Sequence, residues 1–108
     1  MVGHTGDMLA VISALETIDH CSQKLVQACI ENDYTIIIIA DHGNAEYMIN
    51  PDGTPNTAHT KNKVPIFLIN SSYTKITEGK LADIAPTLLK IMNLKIPSEM
   101  TGKILVNE

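Results

Sequence analysis

The stretch Tyr34-Thr35-Ile36-Ile37-Ile38-Ile39-Ala40-Asp41-His42-Gly43-Asn44 decides the fold. Residues 34–40 form a continuous, mostly β-branched run without polar alternation, a pattern typical of a strand covered on both faces in a parallel sheet. The run stops abruptly at an aspartate, a histidine and a glycine. The sequence therefore predicts a strand at residues 34–40, with Asp41 and His42 at its carboxyl end.

Helical periodicity appears on both sides of this strand. Apolar residues recur at three- and four-residue spacing over residues 7–32, which predicts a long amphipathic helix with Thr5 as its N-cap and residues 31–33 as its polar end. Residues 81–92 have the same spacing. Pro86 is compatible with this second helix if it lies in the first turn.

A second strand is predicted at residues 64–69, with a proline near its start, where a missing N–H is tolerated. Residues 50–57 before it are rich in turn formers, and long loops in compact domains tend to be functional. The order of elements indicates an α/β fold in a single unit, residues 1–108, with a small, mostly parallel sheet flanked by helices. Two strands make an incomplete parallel sheet. Residues 100–105 are expected to dock as a short edge segment.

The composition excludes several classes of function. Hydrophobic residues make up 44% and charged residues 19% of the 108, the balance of a chain that buries a core. The net charge of −4 argues against nucleic acid as a partner and favours divalent cations over free anions. Neither a signal-peptide pattern nor an apolar run of membrane-spanning length is present, so we expect no membrane association and a cytoplasmic location.

Three of the four histidines, His4, His42 and His59, stand in predicted loops or at element ends beside small residues. Neutral imidazoles and a carboxylate are standard ligands of zinc, manganese and iron, so these histidines with Asp41 form a candidate metal site. Taken singly, His42 is equally compatible with a capped turn, and His4 and His59 with ordinary surface histidines. His20 lies on the polar side of the first helix and is excluded.

Five strings of the sequence resemble a known family in their order and approximate intervals. They are Gly3-His4-Thr5-Gly6, Ile39-Ala40-Asp41-His42-Gly43-Asn44-Ala45-Glu46, Thr57-Ala58-His59-Thr60, Leu81-Ala82-Asp83-Ile84-Ala85-Pro86-Thr87 and Glu99-Met100-Thr101-Gly102-Lys103. Together they look like the closing third of the phosphatase domain of cofactor-independent phosphoglycerate mutases, in the alkaline phosphatase superfamily. The resemblance covers essentially the whole chain and implies a C-terminal fragment with a partial alkaline-phosphatase-like layer.

The resemblance also implies an activity and a set of metal ligands. The family interconverts 3-phosphoglycerate and 2-phosphoglycerate in glycolysis through a phosphoserine, with two divalent ions, usually Mn²⁺. Asp41 and His42 would help to hold one ion, and His4 with His59 the other. Two such ions can activate a serine hydroxyl and stabilise charge during in-line transfer.

Several parts of the family pattern are absent from these 108 residues. The pattern has an aspartate just before the Met1-Val2-Gly3-His4 string, a second aspartate, a nucleophilic serine and a substrate-binding domain. None of the five serines here matches the nucleophile, so we assign no catalytic residue. With about two donors for each metal, we expect weak or absent metal binding, no activity from the chain alone, and self-association through an exposed apolar edge.

Two alternatives stay open from the sequence. Phosphopentomutases and phosphatases of the same superfamily share the Asp-His-Gly turn, but phosphopentomutases tend to follow the later histidine with an arginine and an acidic residue. Residues 60–62 do not have that pattern. The other alternative is a non-catalytic α/β module that binds a partner through its sheet edge.

Overall fold

A computed structural model of the chain describes residues 1–107. Its helices and strands are α1 (Met8–Glu31), β1 (Ile36–Ile39), β2 (Ile66–Ile69), β3 (Lys75–Ile76), α2 (Ile84–Ile91) and β4 (Val106–Asn107). The chain divides into two compact units: residues 1–34 with 39–66 form the first, and residues 35–38 with those from 67 onward form the second. A single domain of residues 1–108 stays a prediction. No helix within residues 1–107 has the length and apolar character needed to cross a membrane.

The long helix α1 has the bounds that its periodicity predicts, but a different residue caps it. Asp7, not Thr5, is the N-cap, since its Oδ1 accepts from the backbone N–H of Ala10 at 3.0 Å. The hydroxyl of Thr5 instead donates to the Val2 carbonyl and accepts from the N–H of Asp7. The helix ends as predicted, because Asp33 takes a φ of 59°, a left-handed conformation that aspartate tolerates.

Apolar side chains of α1 remain exposed along much of its length. Val11 is buried, whereas the larger side chains of this helix are open to solvent: Met8, Leu9, Ile12, Leu15, Ile18, Leu25 and Ile30. Leu9 is 80% exposed and Leu25 67% exposed. The helix therefore carries an apolar surface that residues 1–107 do not cover.

The two central strands pair with each other in a sheet of two strands. They run antiparallel, so the prediction of a mostly parallel sheet is wrong. The hydroxyl of Thr35, just before β1, donates to the carbonyl of Asn70, just after β2, at 2.8 Å. A continuous β-branched run fits a buried strand of either direction, which is why the sequence did not reveal the orientation. β2 begins after Pro65, as a residue without an N–H donor requires.

The second unit ties the carboxyl-terminal residues to the start of α2. β3 and β4 pair antiparallel, with Lys75 opposite Asn107 and Ile76 opposite Val106. A 3-10 turn, Leu81–Asp83, leads into α2. Pro86 lies in the first turn of α2, as predicted.

A buried polar network closes this unit. The carboxylate of Asp83 accepts from the backbone N–H groups of Lys80 at 2.9 Å and Lys103 at 2.8 Å. These hydrogen bonds, first that of Lys80, lower the pKa of Asp83. The hydroxyl of Thr87 donates to the Asp83 carbonyl at 2.6 Å and accepts from the N–H of Leu105 at 3.0 Å. The tail is therefore part of the core and more deeply placed than the predicted edge segment, with Leu105 and Val106 both buried.

Candidate metal centre

The loops that follow β1 and precede β2 meet in the first unit. Gly43 and Thr60 form an antiparallel bridge, in which the N–H of Thr60 donates to the Gly43 carbonyl at 2.8 Å. Gly43 is buried, and a side chain there would overlap Thr60 and Glu46. The glycine of the Asp-His-Gly turn therefore permits a close approach of the two loops. Because His42 precedes one bridge residue and His59 the other, the bridge brings the two histidines together.

A hairpin between residues 47 and 56 returns the chain to His59. Ile49 and Pro55 form a second antiparallel bridge, and the N–H of Asn56 donates to the Met48 carbonyl at 2.8 Å. At the tip, Asp52 accepts from both the hydroxyl and the N–H of Thr54. The predicted turn-rich loop is thus a hydrogen-bonded hairpin, and Met48 near its start is buried, with only 2% of it exposed.

The three candidate histidines form one cluster of rings. The rings of His42 and His59 stack with centroids 3.6 Å apart and planes 17° apart. The His4 ring is tilted by 42° against that of His59, with centroids 5.1 Å apart. Asp41 adjoins the cluster, since its Oδ2 lies 3.5 Å from Nε2 of His42. All four side chains predicted from the sequence therefore come together in the first unit, and all are open to solvent.

The hydrogen bonds of two rings define which nitrogen is available. Nδ1 of His4 lies 2.6 Å from the carbonyl oxygen of Thr57. Since a carbonyl oxygen only accepts, Nδ1 donates, and in the neutral ring Nε2 then keeps its lone pair. Nδ1 of His42 has a weaker contact of the same kind with the Gly43 carbonyl at 3.3 Å. A backbone carbonyl that fixes one ring nitrogen while the other stays free is the usual arrangement of metal-binding histidines.

The spacing of Asp41 and His42 fits one shared cation. Two ligand atoms bound to one ion at about 2.1 Å with a tetrahedral angle stand about 3.4 Å apart. The 3.5 Å between Oδ2 of Asp41 and Nε2 of His42 agrees with that value. A carboxylate and an imidazole lone pair at this distance attract each other only through an intervening proton or cation. The donor types and this spacing therefore fit a divalent metal.

The cluster nevertheless falls short of a closed metal site. Within residues 1–107, no group of three or more His, Cys, Asp or Glu side chains has the arrangement needed to hold an ion. The stacked rings of His42 and His59 lie in nearly parallel planes, so their in-plane lone pairs do not converge on a single point. This chain thus offers pairs of donors, where stable sites use three or four ligands.

Glu46 connects the loops that carry His42 and His59. Its carboxylate accepts from the Thr60 hydroxyl and, at 3.1 Å, from the Asn62 side chain on one oxygen. Its other oxygen accepts from the N–H of Asn44 at 2.7 Å. These bonds, first that of the Thr60 hydroxyl, lower the pKa of Glu46 from 4.5 to about 2. Glu46 is therefore a carboxylate at neutral pH.

Asn44 connects the same loops to the amino-terminal turn. Its side-chain nitrogen donates to the Gly3 carbonyl at 2.9 Å and to the Ala58 carbonyl at 3.3 Å. Gly3 directly precedes His4, and Ala58 directly precedes His59. A side chain at Gly3 would overlap the carboxamide of Asn44. One carboxamide thus contacts both segments that hold the other two histidines.

Asn44 and Glu46 stand within one of the family-like strings, but nothing in the sequence predicts a role for them. Their partners lie up to 41 positions away in the sequence, so spacing could not identify them. The available signal is that two more polar residues, Asn44 and Glu46, stand within three positions after the Asp-His-Gly turn. His20 lies on α1, exposed, which agrees with its exclusion.

Comparison with known proteins identifies the superfamily to which the chain belongs. The model of the Metalloenzyme superfamily matches residues 1–96. The chain belongs to the metalloenzyme superfamily. Among curated proteins it is similar to the 2,3-bisphosphoglycerate-independent phosphoglycerate mutase of Flavobacterium johnsoniae, with 56% identity over 101 residues, 94% of this chain and 20% of that protein.

Proteins of the same name from other bacteria give the same result. That of Prochlorococcus marinus subsp. pastoris is 53% identical over 118 residues, covering 100% of this chain and 22% of the relative. That of Moorella thermoacetica is 51% identical over 108 residues, covering 98% of this chain and 21% of the relative. The chain therefore spans about a fifth of the length of the curated relatives that it matches.

Proposed function

We propose that this chain supplies metal ligands to a cofactor-independent phosphoglycerate mutase, which interconverts 3-phosphoglycerate and 2-phosphoglycerate in glycolysis through a phosphoserine. The observation that carries the proposal is the clustering of His4, Asp41, His42 and His59 in one unit of a metalloenzyme-superfamily chain. The names of its relatives support the choice of reaction.

The proposed ligands fall into two pairs. Asp41 and His42 would hold one divalent ion, in accord with the separation of their donor atoms, and His4 with His59 the other. Manganese is the metal that we propose for both. Bound divalent ions would supply positive charge to phosphoryl oxygens and lower the pKa of an attacking hydroxyl.

The chain's own residues prepare this arrangement but leave the reaction incomplete. The carbonyl of Thr57 holds the His4 ring so that Nε2 stays available. The net charge of −4 does not attract an anionic phosphoglycerate, so substrate binding falls to the ions and to basic residues of the rest of the mutase. The nucleophilic serine is likewise expected from the rest of the mutase, and we propose that these residues alone are inactive and bind metal weakly.

We also propose that the protein works in the cytoplasm. Its two cysteines, Cys21 and Cys29, are both free thiols. They lie eight positions apart on α1, which separates them by about 12 Å along the helix axis, too far for a disulfide. Free thiols are typical of a reducing compartment.

A chimeric enzyme tests the proposed reaction. Replacing the matching segment of the Flavobacterium johnsoniae protein with this chain should give a mutase that converts 3-phosphoglycerate to 2-phosphoglycerate in the presence of Mn²⁺. His42→Ala in the chimera should reduce that rate at least a hundredfold, and His20→Ala should leave it unchanged. A folded chimera that acts on phosphopentoses and not on phosphoglycerates would replace the proposal with the phosphopentomutase alternative.

Metal binding by the 108-residue chain tests the ligand assignment separately. Titration with Mn²⁺, followed by electron paramagnetic resonance of the free ion, should show weak binding that His42→Ala and His59→Ala each reduce. His20→Ala is the matched control, because it removes an imidazole from exposed α1. Measurable and equal Mn²⁺ binding by all three variants would overturn the assignment.

A further inference from the structure

We propose that Asn44 and Glu46 form a clamp that fixes the relative positions of the three histidines and thereby sets the metal affinity of the centre. The inference rests on the proposed function for its metal readout, while its structural readout is independent of metal. The side-chain hydrogen bonds of both residues go to segments beside the histidines and not to the proposed metal-donor atoms, so both are positioning residues.

The clamp joins three segments that are far apart in the sequence. Through Glu46, the segment after β1 is held to Thr60 and Asn62, next to His59. Through the side-chain nitrogen of Asn44, that segment is held to the Gly3 carbonyl and the Ala58 carbonyl. Asn44 and Glu46 therefore form a hydrogen bond to a residue within two positions of each histidine in the cluster.

The two halves of the clamp are themselves linked. The backbone N–H of Asn44 donates to one oxygen of Glu46 at 2.7 Å, while the other oxygen of Glu46 takes the two donors from the opposite loop. Glu46 thus needs two acceptor oxygens at once. Glutamine has the same length but only one acceptor oxygen, so Glu46→Gln places an NH₂ donor opposite either the Asn44 N–H or the Asn62 side chain and weakens one side of the clamp.

The lowered pKa of Glu46 is consistent with this role, because the donors on both loops favour the charged form. The exposed ring cluster lacks a covering core that would otherwise hold it. Hydrogen bonds between loops are therefore the main constraint on ring position, apart from the Gly43–Thr60 bridge. Groups behind the ligands of metal sites typically change affinity by about 10- to 100-fold when they are removed.

The first experiment uses the metal-free chain. The rings of His42 and His59 lie within mutual ring-current range at 3.6 Å, so their carbon-bound protons should resonate at shifted positions in a ¹H–¹³C spectrum. Asn44→Ala and Glu46→Gln should each move these signals towards those of the exposed, unstacked His20. The methyl signals of Val11, which is buried in the same unit, should stay in place and report that this unit remains folded.

Two matched controls separate positioning from loss of charge or loss of an amide. Glu16→Gln removes one carboxylate from exposed α1, and Asn50→Ala removes a carboxamide that bonds within the hairpin, to Thr54 and Pro55. Neither should move the signals of the stacked rings. If Asn44→Ala unfolds the chain, Glu46→Gln alone decides the result, since it preserves size and shape.

The second experiment is a Mn²⁺ titration of the same variants. The affinity should fall about 10-fold or more in Asn44→Ala and Glu46→Gln and stay within about twofold in the two controls. Unchanged ring signals in both clamp variants, or unchanged Mn²⁺ affinity where the unaltered chain binds Mn²⁺, would overturn the clamp. Absence of Mn²⁺ binding by the unaltered chain would agree with its incomplete ligand set, and the ring signals would then decide on the clamp by themselves.

Discussion

Removal of the Thr87 hydroxyl should destabilise the second unit without changing its shape. Thr87→Val replaces the hydroxyl with a methyl group at a position that is fully buried. The buried N–H of Leu105 then loses its acceptor, while the Asp83 carbonyl loses the hydroxyl donor of Thr87. A buried donor left unpaired costs about 1–3 kcal/mol, so the unfolding equilibrium constant should rise about 5- to 150-fold.

Urea denaturation followed by far-ultraviolet circular dichroism would measure this loss. Thr87→Ser keeps the hydroxyl and removes one methyl group, so it should cost about 1 kcal/mol. Thr77→Val is the matched control, because the Thr77 hydroxyl shares the Leu105 carbonyl with the backbone N–H of Thr77. Its cost should stay within about 0.5 kcal/mol.

Hydrogen exchange at the Leu105 amide adds a residue-specific reading. The amide should be protected in the unaltered chain and in Thr87→Ser, and should exchange much faster in Thr87→Val. The reasoning fails if Thr87→Val unfolds at the same urea concentration as the unaltered chain, or if Thr77→Val costs as much as Thr87→Val.

Acid should weaken the first unit, because the Thr60 hydroxyl and its neighbours lower the pKa of Glu46 from 4.5 to about 2. A carboxyl whose pKa is lower in the folded state stabilises the fold fully above pH 4.5, and this stabilisation is lost as the pH falls towards 2. Thermal unfolding in a pH series should show the loss, and Glu46→Gln should reduce it. An identical acid dependence in both proteins would contradict the assignment. The isolated chain should show no turnover of either phosphoglycerate in saturating Mn²⁺, and measurable turnover in a coupled assay would refute our account of the nucleophile. The chain should also self-associate through the exposed apolar side chains of α1; light scattering should show smaller particles for Leu9→Lys and Leu25→Lys but not for the control Gln23→Lys, and a monodisperse monomer of the unaltered chain at high concentration would exclude it.

The helices were the most predictable part of the fold. The apolar period of α1 and the left-handed stop at Asp33 depend on local sequence alone, so the predicted bounds agree with the structure. The predicted N-cap, Thr5, was wrong because Thr5 and the observed N-cap, Asp7, are both good capping residues two positions apart. The predicted parallel direction of the strand pair was wrong. The direction depends on the path of the chain between β1 and β2, and the run of isoleucines carries no information on that path.

The candidate site was predictable in its residue types but not in its organisation. His4, Asp41, His42 and His59 stood out because of their chemistry and their small neighbours. The ring stacking and the contacts of Asn44 and Glu46 arise from tertiary hydrogen bonds between distant positions, which no local pattern records.

Residues 40–65 connect β1 to its paired strand β2, and Asp41, His42 and His59 all lie in this connecting segment. Backbone pairing between β1 and β2 requires none of those side chains. The connecting segment can therefore change during evolution, and with it the preferred metal ion or the reaction, while the strand pair stays unchanged. The same separation makes this segment a natural unit for transplantation between related enzymes.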